Sequence, residues 1–373
     1  MNIISVAVLG TRGFPDVQGG VETHCENLYP ALVRAGVDVT VFARRGYVQN
    51  SAYEYKGVKI HPLWSPRKKS VEAITHTFFG VMLVFFKRKQ FDVLHIHSIG
   101  PSLLVPLARM TGLKVVVTNH GPDYERKKWG RIASTSLKVG EKLGSKFGSQ
   151  IITVSRHIKN QLEVKYGRVC TYIPNGVQIK KPSTSSRIQK KYALSKRRYI
   201  LAVGRLVPEK GFHDLMAAFS AINLTGWKLV IAGGADHEDD YSRGLLAAAV
   251  ENKNIIMAGA LNAQEISELY SNAGIFILPS YHEGLPLVIL EAMSFGLPLI
   301  VSDIEANKEL VENMDNTFPV GDVEALARKI ELFAKDSSSN TCDEKLIEKV
   351  GNDFNWEKIS ACTLDVYHQA IKS

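Results

Sequence analysis

The sequence predicts an α/β protein built from two open domains, each with a parallel sheet covered by helices. Short apolar runs alternate with Gly-rich or polar loops and helical stretches along the chain. This alternation is typical of parallel sheets whose strands are connected by helices. The chain has 373 residues, whereas a single domain usually has about 100–200, so two domains are expected.

The first domain is predicted to span residues 1–180. Its strands are expected at 3–9, 37–43, 91–96, 114–119, 150–154 and 171–174. Residues 181–198 are polar, basic and rich in Ser, which predicts a linker. The second domain, residues 199–354, repeats the pattern with strands expected at 199–204, 227–233, 254–259, 274–279 and 298–303. Apolar residues spaced by about 3.6 positions predict a final helix over 355–373.

The composition is that of an ordinary globular protein, with 45% apolar and 22% charged residues. Four scattered cysteines without CxxC spacing favour reduced thiols over disulfides or a metal site. The N-terminus reads as a short strand without the features of a secretory signal. The apolar run 78–86 is shorter than the roughly 20 residues that cross a membrane. We therefore expect a cytoplasmic protein, and peripheral attachment to the inner face of the plasma membrane stays open.

The charge is unevenly distributed along the chain. Residues 1–180 carry 26 Lys and Arg against 11 Asp and Glu, and residues 181–373 carry 20 against 26. An excess of +15 in the first half favours a partner with many negative charges: nucleic acid, an anionic membrane or a phosphorylated substrate. A solvated basic surface is the alternative. No recognised nucleic-acid-binding motif is present, so nucleic acid is the least favoured partner.

Candidate binding residues follow the predicted strands, at the sheet edge where open parallel sheets bind ligands. After the first strand, Gly19 and Gly20 precede a helix, where backbone N–H groups can approach an anion. The loop is not a GxGxxG dinucleotide motif, and a plain flexible loop is the alternative. His120 follows the strand 114–119, where it can bind a ligand or serve a structural purpose.

The second domain offers cations and carboxylates at the corresponding edge. Arg205 and Lys210 follow its first strand, and two cations there can neutralise a diphosphate; an ordinary surface pair is the alternative. Glu283 lies in the loop before a helix expected over 287–295, and Glu291 lies inside that helix. Carboxylates beside a phosphate are suited to accepting hydrogen bonds from sugar hydroxyls, although helix capping and solvation are alternatives. Loop N–H groups can bind an anion at the helix start: those of Gly284, Leu285 and Leu287.

Two further groups of residues are ambiguous. His95 and His97 share one strand face, but no third metal ligand is apparent, so packing or an acceptor-site role for His97 is favoured. No Asp-x-Asp motif is present to hold a divalent ion, and we expect no metal. A basic and aromatic segment after His120 is suited to binding a lipid headgroup or a phosphate-bearing partner. The alternative is that it forms a solvated helix face. Its candidate residues are Asp123, Arg126, Lys127, Lys128 and Trp129.

Several motifs together resemble one known family. They are GTRGFPDVQGGVET, DVLHIHS, NHG, VGRLVPEKG and EGLPLVILEAMSFGLPLIVSD, and they run along nearly the whole chain. On these motifs the chain resembles the retaining glycosyltransferases of family 4, of the type that builds bacterial surface polysaccharides. The resemblance implies the GT-B fold, in which two Rossmann-like doubly wound domains face each other across a central cleft. It also implies that the C-terminal helix packs back on the first domain.

The resemblance implies a role for each matching residue. Glu283 would contact the donor hexose, Glu291 the ribose, and Arg205 with Lys210 the diphosphate. The remaining donor contacts would come from His120 near the sugar, the loop of Gly19 and Gly20, and Leu261 beside the base. No metal or other cofactor is implied.

The expected reaction is transfer of a hexose from a UDP-, GDP- or dTDP-linked donor to a hydroxyl of a lipid-linked saccharide, as in O-antigen or capsule synthesis. The alternatives are a rhamnosyltransferase that uses dTDP-rhamnose, a catalytically silent sugar-nucleotide-binding protein, and a phosphorylase or epimerase with the same fold.

Overall fold

The structure is a computed structural model that describes residues 3–66, 71–110, 112–125, 130–235, 238–335 and 342–373. The chain divides into two compact units. The N-terminal unit comprises residues 1–176 and 354–373, and the C-terminal unit comprises residues 177–353.

The N-terminal unit contains an eight-stranded sheet with the strand order β3-β4-β2-β1-β5-β6-β7-β8. All neighbouring strands are parallel except β3 and β4, which form an antiparallel pair. The strands are β1 (Ser5–Leu9), β2 (Asp38–Arg44), β3 (Tyr53–Tyr55), β4 (Val58–Leu63), β5 (Val93–His97), β6 (Lys114–Asn119), β7 (Gln150–Thr153) and β8 (Thr171–Tyr172).

The C-terminal unit contains a six-stranded, fully parallel sheet with the order β11-β10-β9-β12-β13-β14. Its strands are β9 (Tyr199–Val203), β10 (Lys228–Ala232), β11 (Ile255–Gly259), β12 (Ile275–Leu278), β13 (Leu299–Ser302) and β14 (Thr317–Phe318). The predicted fold class, two parallel α/β domains, is confirmed. All eleven predicted strands are present, within a few residues of the expected bounds.

Helices connect most of the strands. They are α1 (Gly20–Arg34), α2 (Glu72–Phe86), α3 (Val105–Arg109), α4 (Arg131–Phe147), α5 (Arg156–Tyr166), α6 (Arg187–Lys191), α7 (Phe212–Ala221), α8 (Asp240–Val250), α9 (Ala263–Asn272), α10 (Leu287–Ser294), α11 (Glu305–Lys308), α12 (Val323–Lys335), α13 (Glu344–Asp353) and α14 (Trp356–Lys372). None of the described helices is long and apolar enough to cross a membrane.

The final helix, α14, belongs to the core of the N-terminal unit. Its buried residues Trp356, Ile359, Val366 and Tyr367 pack in the same apolar cluster as the residues of β1, β2 and α1. Three of them, Trp356, Ile359 and Tyr367, belong to the helical spacing that predicts this helix from the sequence, and Val366 adds to the same buried face. Because α14 buries this stripe, it contributes both packing and, through Tyr367, a polar group inside the unit.

Residues 181–198 are not a linker, which corrects the expectation from composition. Ile188, in α6, is fully buried. The backbone N–H of Gln189 donates to Glu268 of α9 over 3.0 Å. Lys228 donates to the carbonyls of Tyr192 and Ala193 over 2.8 and 2.9 Å. The basic and polar side chains therefore cover a segment whose backbone is built into the C-terminal unit.

Candidate functional site

Two loops of the C-terminal unit lie side by side because β9 and β12 are neighbours in the sheet although other strands separate them in sequence. Such a change in strand order opens a crevice at the carboxyl edge, where ligands bind in this class of sheet. The loop after β9 ends in a 3₁₀ turn, Pro208–Lys210. The backbone N–H of Tyr281, in the loop after β12, donates to the carbonyl of Glu209 over 2.8 Å. This hydrogen bond holds the two loops together.

Lys210 and Glu283 form an ion pair at this point. The Lys210 Nζ lies 2.5 Å from Oε1 of Glu283, and the side chains are 17% and 11% exposed. The hydroxyl of Ser280 donates to the same oxygen over 2.6 Å. Burial is the largest influence on Glu283 and opposes ionisation, but Lys210, Ser280 and His282 together hold the pKa of Glu283 below its ordinary value. Glu283 is therefore a carboxylate at neutral pH.

Glu291 lies in α10 in a different environment. The hydroxyl of Tyr270 donates to its Oε2 over 3.0 Å, and the ring of Tyr270 stacks on that of Phe295 with 5.5 Å between centroids. Burial raises the pKa of Glu291 above its ordinary value, and Tyr270 with Lys180 only partly opposes this effect. The two glutamates of the motif thus have pKa values displaced in opposite directions.

Each of these glutamates uses one oxygen inside the protein. Both hydrogen bonds of Glu283 fall on Oε1, and the hydrogen bond of Glu291 falls on Oε2. Among the described residues, no donor contacts Oε2 of Glu283 or Oε1 of Glu291. Each carboxyl group is therefore oriented by the protein while keeping one oxygen that can accept from a hydroxyl group.

The other predicted residues of this unit lie at the same sheet edge. Arg205 is partly buried in the loop after β9, and its carbonyl accepts from the N–H of Val207 over 2.9 Å. The helix α10 begins at Leu287 without a side-chain cap, so its first N–H groups point into the loop. Gly284 is partly buried and Leu285 is buried. Leu261 is partly buried and follows β11, two strands away from β9.

In the N-terminal unit, Gly19 is the N-cap of α1 and Gly20 is the first residue of that helix. The preceding loop is held to the helix by Arg12 and Glu22, whose Nε and Oε1 lie 3.2 Å apart, with little solvent exposure. A side chain on Gly19 would collide with both groups. The sequence-based reasoning did not include Arg12 or Glu22, although a Glu in the first turn of a helix after a Gly-rich loop is a recognisable signal.

A cluster of four histidines fills the carboxyl edge of the N-terminal sheet. His97 Nδ1 lies 2.9 Å from His120 Nε2, and His97 Nε2 lies 2.5 Å from the hydroxyl of Tyr29. His95 contacts Tyr367 of α14 over 2.8 Å and Thr118 over 2.7 Å. Burial lowers the pKa of His95 and of His120 to about 3, so these imidazoles are neutral.

His24 is the fourth member of this histidine cluster and was missed in the sequence. It lies on the buried face of α1, and its Nδ1 is 2.9 Å from Oδ1 of Asn175. Its ring lies 4.9 Å from that of His120 and 5.6 Å from that of His97, measured between centroids. Nothing in the local sequence connects His24 with a strand end, because the helix brings it there only after folding.

His97 was expected to be an acceptor-site or membrane candidate, and its side chain is fully buried. Its ring contacts the hydroxyl of Tyr29 and the ring of His120, which is partly exposed. Asp123 is partly buried in the 3₁₀ turn Asp123–Glu125. The remaining candidates of that segment, Arg126, Lys127, Lys128 and Trp129, lie outside the described residues.

Two parallel α/β units with polar sites at their carboxyl edges define the class of GT-B glycosyltransferase folds. Among solved structures, sucrose-phosphate synthase from Thermosynechococcus elongatus matches with a TM-score of 0.84 and 22% identity, over 99% of each chain. Two family models match consecutive parts of the sequence: Glycosyltransferase Family 4 over residues 18–181 and Glycosyl transferases group 1 over residues 184–350. The first model matches most of the N-terminal unit, and the second matches most of the C-terminal unit.

Curated relatives support the same class. An uncharacterised glycosyltransferase of Methanocaldococcus jannaschii is 25% identical over 96% of each chain. The UDP-Gal:α-D-GlcNAc-diphosphoundecaprenol α-1,3-galactosyltransferase of Escherichia coli is 28% identical over 75% of this chain and 76% of its own length. The capsular polysaccharide biosynthesis glycosyltransferase CapM of Staphylococcus aureus, 26% identical over 60% of this chain and 64% of its own length, adds a relative from bacterial polysaccharide biosynthesis.

Proposed function

We propose that this protein is a retaining, metal-independent family 4 glycosyltransferase. It transfers a hexose from a nucleotide-sugar donor to a hydroxyl of a lipid-linked saccharide in bacterial surface-polysaccharide synthesis. The observation that supports this proposal most directly is the pair of oriented glutamates beside a lysine at the switch point of the C-terminal sheet. The galactosyltransferase of Escherichia coli, whose name gives a UDP-linked donor and a diphosphoundecaprenol-linked acceptor, supports the substrate class.

The donor is proposed to bind to the C-terminal unit. Oε2 of Glu283 accepts from hydroxyls of the transferred hexose, and Oε1 of Glu291 accepts from the ribose. The diphosphate contacts Arg205, Lys210, the loop N–H groups of Gly284 and Leu285, and the first N–H group of α10, that of Leu287. Leu261 borders the base. Because Lys210 already pairs with Glu283, its ammonium is held in place before the donor binds, and no reorganisation of the lysine is required.

In the reaction, the bond between the anomeric carbon and the leaving phosphate oxygen breaks, and a bond from the same carbon to the acceptor oxygen forms on the same face. The acceptor proton passes to the departing phosphate oxygen. The protein contributes charge stabilisation and orientation. In the N-terminal unit, His120 and the loop containing Gly19 and Gly20 are the candidates for contacts with the transferred sugar and the acceptor.

Lys210→Ala tests the assignment of the leaving-group site. We expect a loss of roughly 3 kcal/mol in transition-state stabilisation, or at least a hundredfold in kcat/KM. The measurement starts with a thermal-shift screen of UDP-, GDP- and dTDP-linked sugars, followed by transfer with the donor that stabilises most. Lys335→Ala, at an exposed position at the end of α12, is the control. Equal activity of Lys210→Ala and the wild type would remove Lys210 from the mechanism.

A lipid-linked acceptor requires that the enzyme work at a membrane surface. The helix α2 buries Val81 and Val84 in the core, whereas Phe78, Phe79 and Phe86 are exposed on its other face. The exposed residues Lys87, Arg88 and Lys89 follow directly. Exposed aromatic rings next to cations suit the headgroup region of an anionic membrane. We propose that the protein binds the membrane peripherally through this surface.

Vesicle co-sedimentation tests this membrane contact. We expect binding to vesicles that contain phosphatidylglycerol, weaker binding to pure phosphatidylcholine, and release by high salt. Phe86→Ser, which replaces a side chain that is 81% exposed, should weaken binding severalfold. Leu332→Ser, which replaces an exposed residue of the C-terminal unit (69%), should not. Equal binding of both variants and the wild type would contradict the proposed surface.

A further inference from the structure

We propose that His24, His97 and His120 form a binding site for a zinc ion. One ring nitrogen of each residue lies within 4.8 Å of the corresponding nitrogens of the other two. The ring centroids are separated by 4.9 Å for His24 and His120, 5.6 Å for His24 and His97, and 5.2 Å for His97 and His120. Three imidazoles bound to tetrahedral zinc, with bonds of about 2.0–2.1 Å, have centroids about 5 Å apart. The rings are therefore already spaced for the ion, and only rotations are needed.

Hydrogen bonds to neighbouring side chains determine which ring nitrogens of the histidines carry lone pairs. The amide oxygen of Asn175 accepts from Nδ1 of His24, so Nε2 of His24 carries a lone pair, and no described residue donates to it. The hydroxyl of Tyr29 lies against Nε2 of His97. Partners of this kind fix the ring orientation and tautomer of a metal-bound histidine, and they are a usual part of such sites.

Zinc can bind without release of a proton, because changes of tautomer free the nitrogens that face the ion. A single proton lies between Nδ1 of His97 and Nε2 of His120, which are 2.9 Å apart. When His97 instead carries its proton on Nε2, that N–H donates to the oxygen of Tyr29, whose own hydroxyl can donate to Nδ1 of His95 at 3.2 Å. With the proton of His120 on Nδ1, both facing nitrogens then offer lone pairs to the ion.

The type of ligand selects the metal. Three neutral imidazoles favour zinc and similar borderline ions, whereas magnesium and calcium require oxygen ligands. Three protein ligands leave the fourth position of tetrahedral zinc for water or a substrate oxygen. His24 and His97 are buried, and His120 is partly exposed, so the ion can enter from the side of His120.

One consequence rests on the proposed function. If His120 contacts the transferred sugar, a zinc ion bound to its Nε2 makes that nitrogen unavailable to the sugar. Zinc is then an inhibitor of transfer rather than a cofactor. Binding itself does not depend on the proposed function, so the two statements are tested separately.

Isothermal titration of the untagged, chelator-treated full chain with zinc chloride tests the site. We expect one zinc ion per chain with a Kd in the micromolar range or below, and a loss of at least tenfold in affinity for His24→Ala and for His120→Gln. His368→Ala, which removes an exposed histidine of α14, is the matched control and should bind as the wild type does. Thermal melting without metal identifies a variant that has not folded, and His120→Gln, at a partly exposed position, is the safer of the two.

Cobalt(II) provides a second readout. The wild type should show the intense visible absorption of tetrahedral cobalt, and His24→Ala should not. No zinc binding by the wild type, or equal affinity of both folded histidine variants and the wild type, would overturn the site. If zinc binds but transfer is unchanged at saturating zinc, the site stands and the inhibitory consequence is wrong.

Discussion

The ammonium group of Lys210 lies 2.5 Å from Oε1 of Glu283, although 72 residues separate them in the sequence. The contact exists because β9 and β12 are adjacent strands and both side chains belong to the loops that follow them. Sequence patterns place the lysine at a diphosphate and the glutamate at a sugar, as separate groups. The structure shows instead that the two side chains hold each other in position and that Lys210 favours the charged form of Glu283.

Glu283→Gln should abolish most of the transfer activity while the protein remains folded. The amide retains the shape of the side chain but removes the negative charge that orients Lys210. We expect kcat/KM to fall at least a hundredfold, or about 3 kcal/mol, as for the loss of an oriented group at a transition state. The measurement is transfer under saturating acceptor. Glu324→Gln, whose carboxylate is 89% exposed, is the control, and equal turnover of both variants would refute the role of Glu283.

The two glutamates should contribute to stability with opposite pH dependence. The pKa of Glu283 is lowered in the folded state, so its contribution is present above the unfolded value of about 4.5 and is lost as the pH falls through the folded pKa. The pKa of Glu291 is raised, so its contribution is present below about 4.5 and is lost as the pH rises through the folded pKa.

Denaturant unfolding of the wild type, Glu283→Gln and Glu291→Gln between pH 3.5 and 7 measures these contributions. The difference in the free energy of unfolding between the wild type and Glu283→Gln should decrease toward low pH. The corresponding difference for Glu291→Gln should decrease toward high pH. Parallel curves for the two variants would show that the environments of the two carboxyl groups are not distinct.

Much of the fold was predictable because parallel strands buried on both faces give apolar runs that are visible without knowing their neighbours. The strands β3 and β4 were not predicted. The strand β3 has only three residues, and Pro62 interrupts the pattern of β4. The signal for this pair is the turn Lys56-Gly57, where both residues have positive φ (48° and 85°), as a two-residue hairpin requires. The strand β14 has only two residues and leaves no periodic pattern.

The candidate site was predictable in part, for a different physical reason. Four of its residues lie in or just after the loops that follow strands: Glu283, Glu291, Arg205 and Lys210. Residues in such loops lie together at the carboxyl edge of a parallel sheet. Their partners were not predictable. Tyr270 reaches Glu291 from the last turn of α9, and helix packing alone decides which face of α9 meets α10. The same holds for His24, whose partner Asn175 is 151 residues away.

Tyr270→Phe should weaken nucleotide binding and make the binding more sensitive to acid. The hydrogen bond from Tyr270 favours the ionised form of Glu291, so its loss raises the pKa of Glu291 further, while the phenyl ring still stacks on Phe295. In the proposed function the carboxylate accepts from the ribose. We expect a threefold to tenfold loss of affinity, which corresponds to roughly 0.7–1.4 kcal/mol, with a larger loss at pH 5.5 than at pH 8.

Calorimetry with UDP, GDP or dTDP, whichever stabilises the protein most, measures this affinity. Tyr192→Phe is the control because its hydroxyl donates to the carbonyl of Ala258 over 3.3 Å and contacts neither glutamate. If Tyr270→Phe binds the nucleotide like the wild type at both pH values, Tyr270 does not act through Glu291.

Gly211→Ala should disrupt the contact between Lys210 and Glu283. Gly211 has φ +65°, and a Cβ there would lie 2.0 Å from the carbonyl oxygen of Pro279, the residue that follows β12. The loop after β12 leads to Glu283, so the added methyl group separates the two loops that carry the ion pair. Gly226 also has a positive φ, +78°, but a Cβ there would meet nothing within 4 Å. Gly226→Ala therefore retains the backbone strain of about 1–2 kcal/mol without the collision.

The difference between these two glycine variants isolates the effect of the collision. We expect Gly211→Ala to lose about 1–3 kcal/mol more unfolding free energy than Gly226→Ala, as in other overpacked sites. Transfer activity should fall at least tenfold for Gly211→Ala and remain near the wild-type value for Gly226→Ala, because Lys210 directly precedes Gly211. Denaturant titration and kcat/KM for the same preparations provide both quantities. Equal losses in stability and activity for the two variants would mean that the loops adjust freely and that the close approach of Gly211 to Pro279 does not hold the ion pair in place.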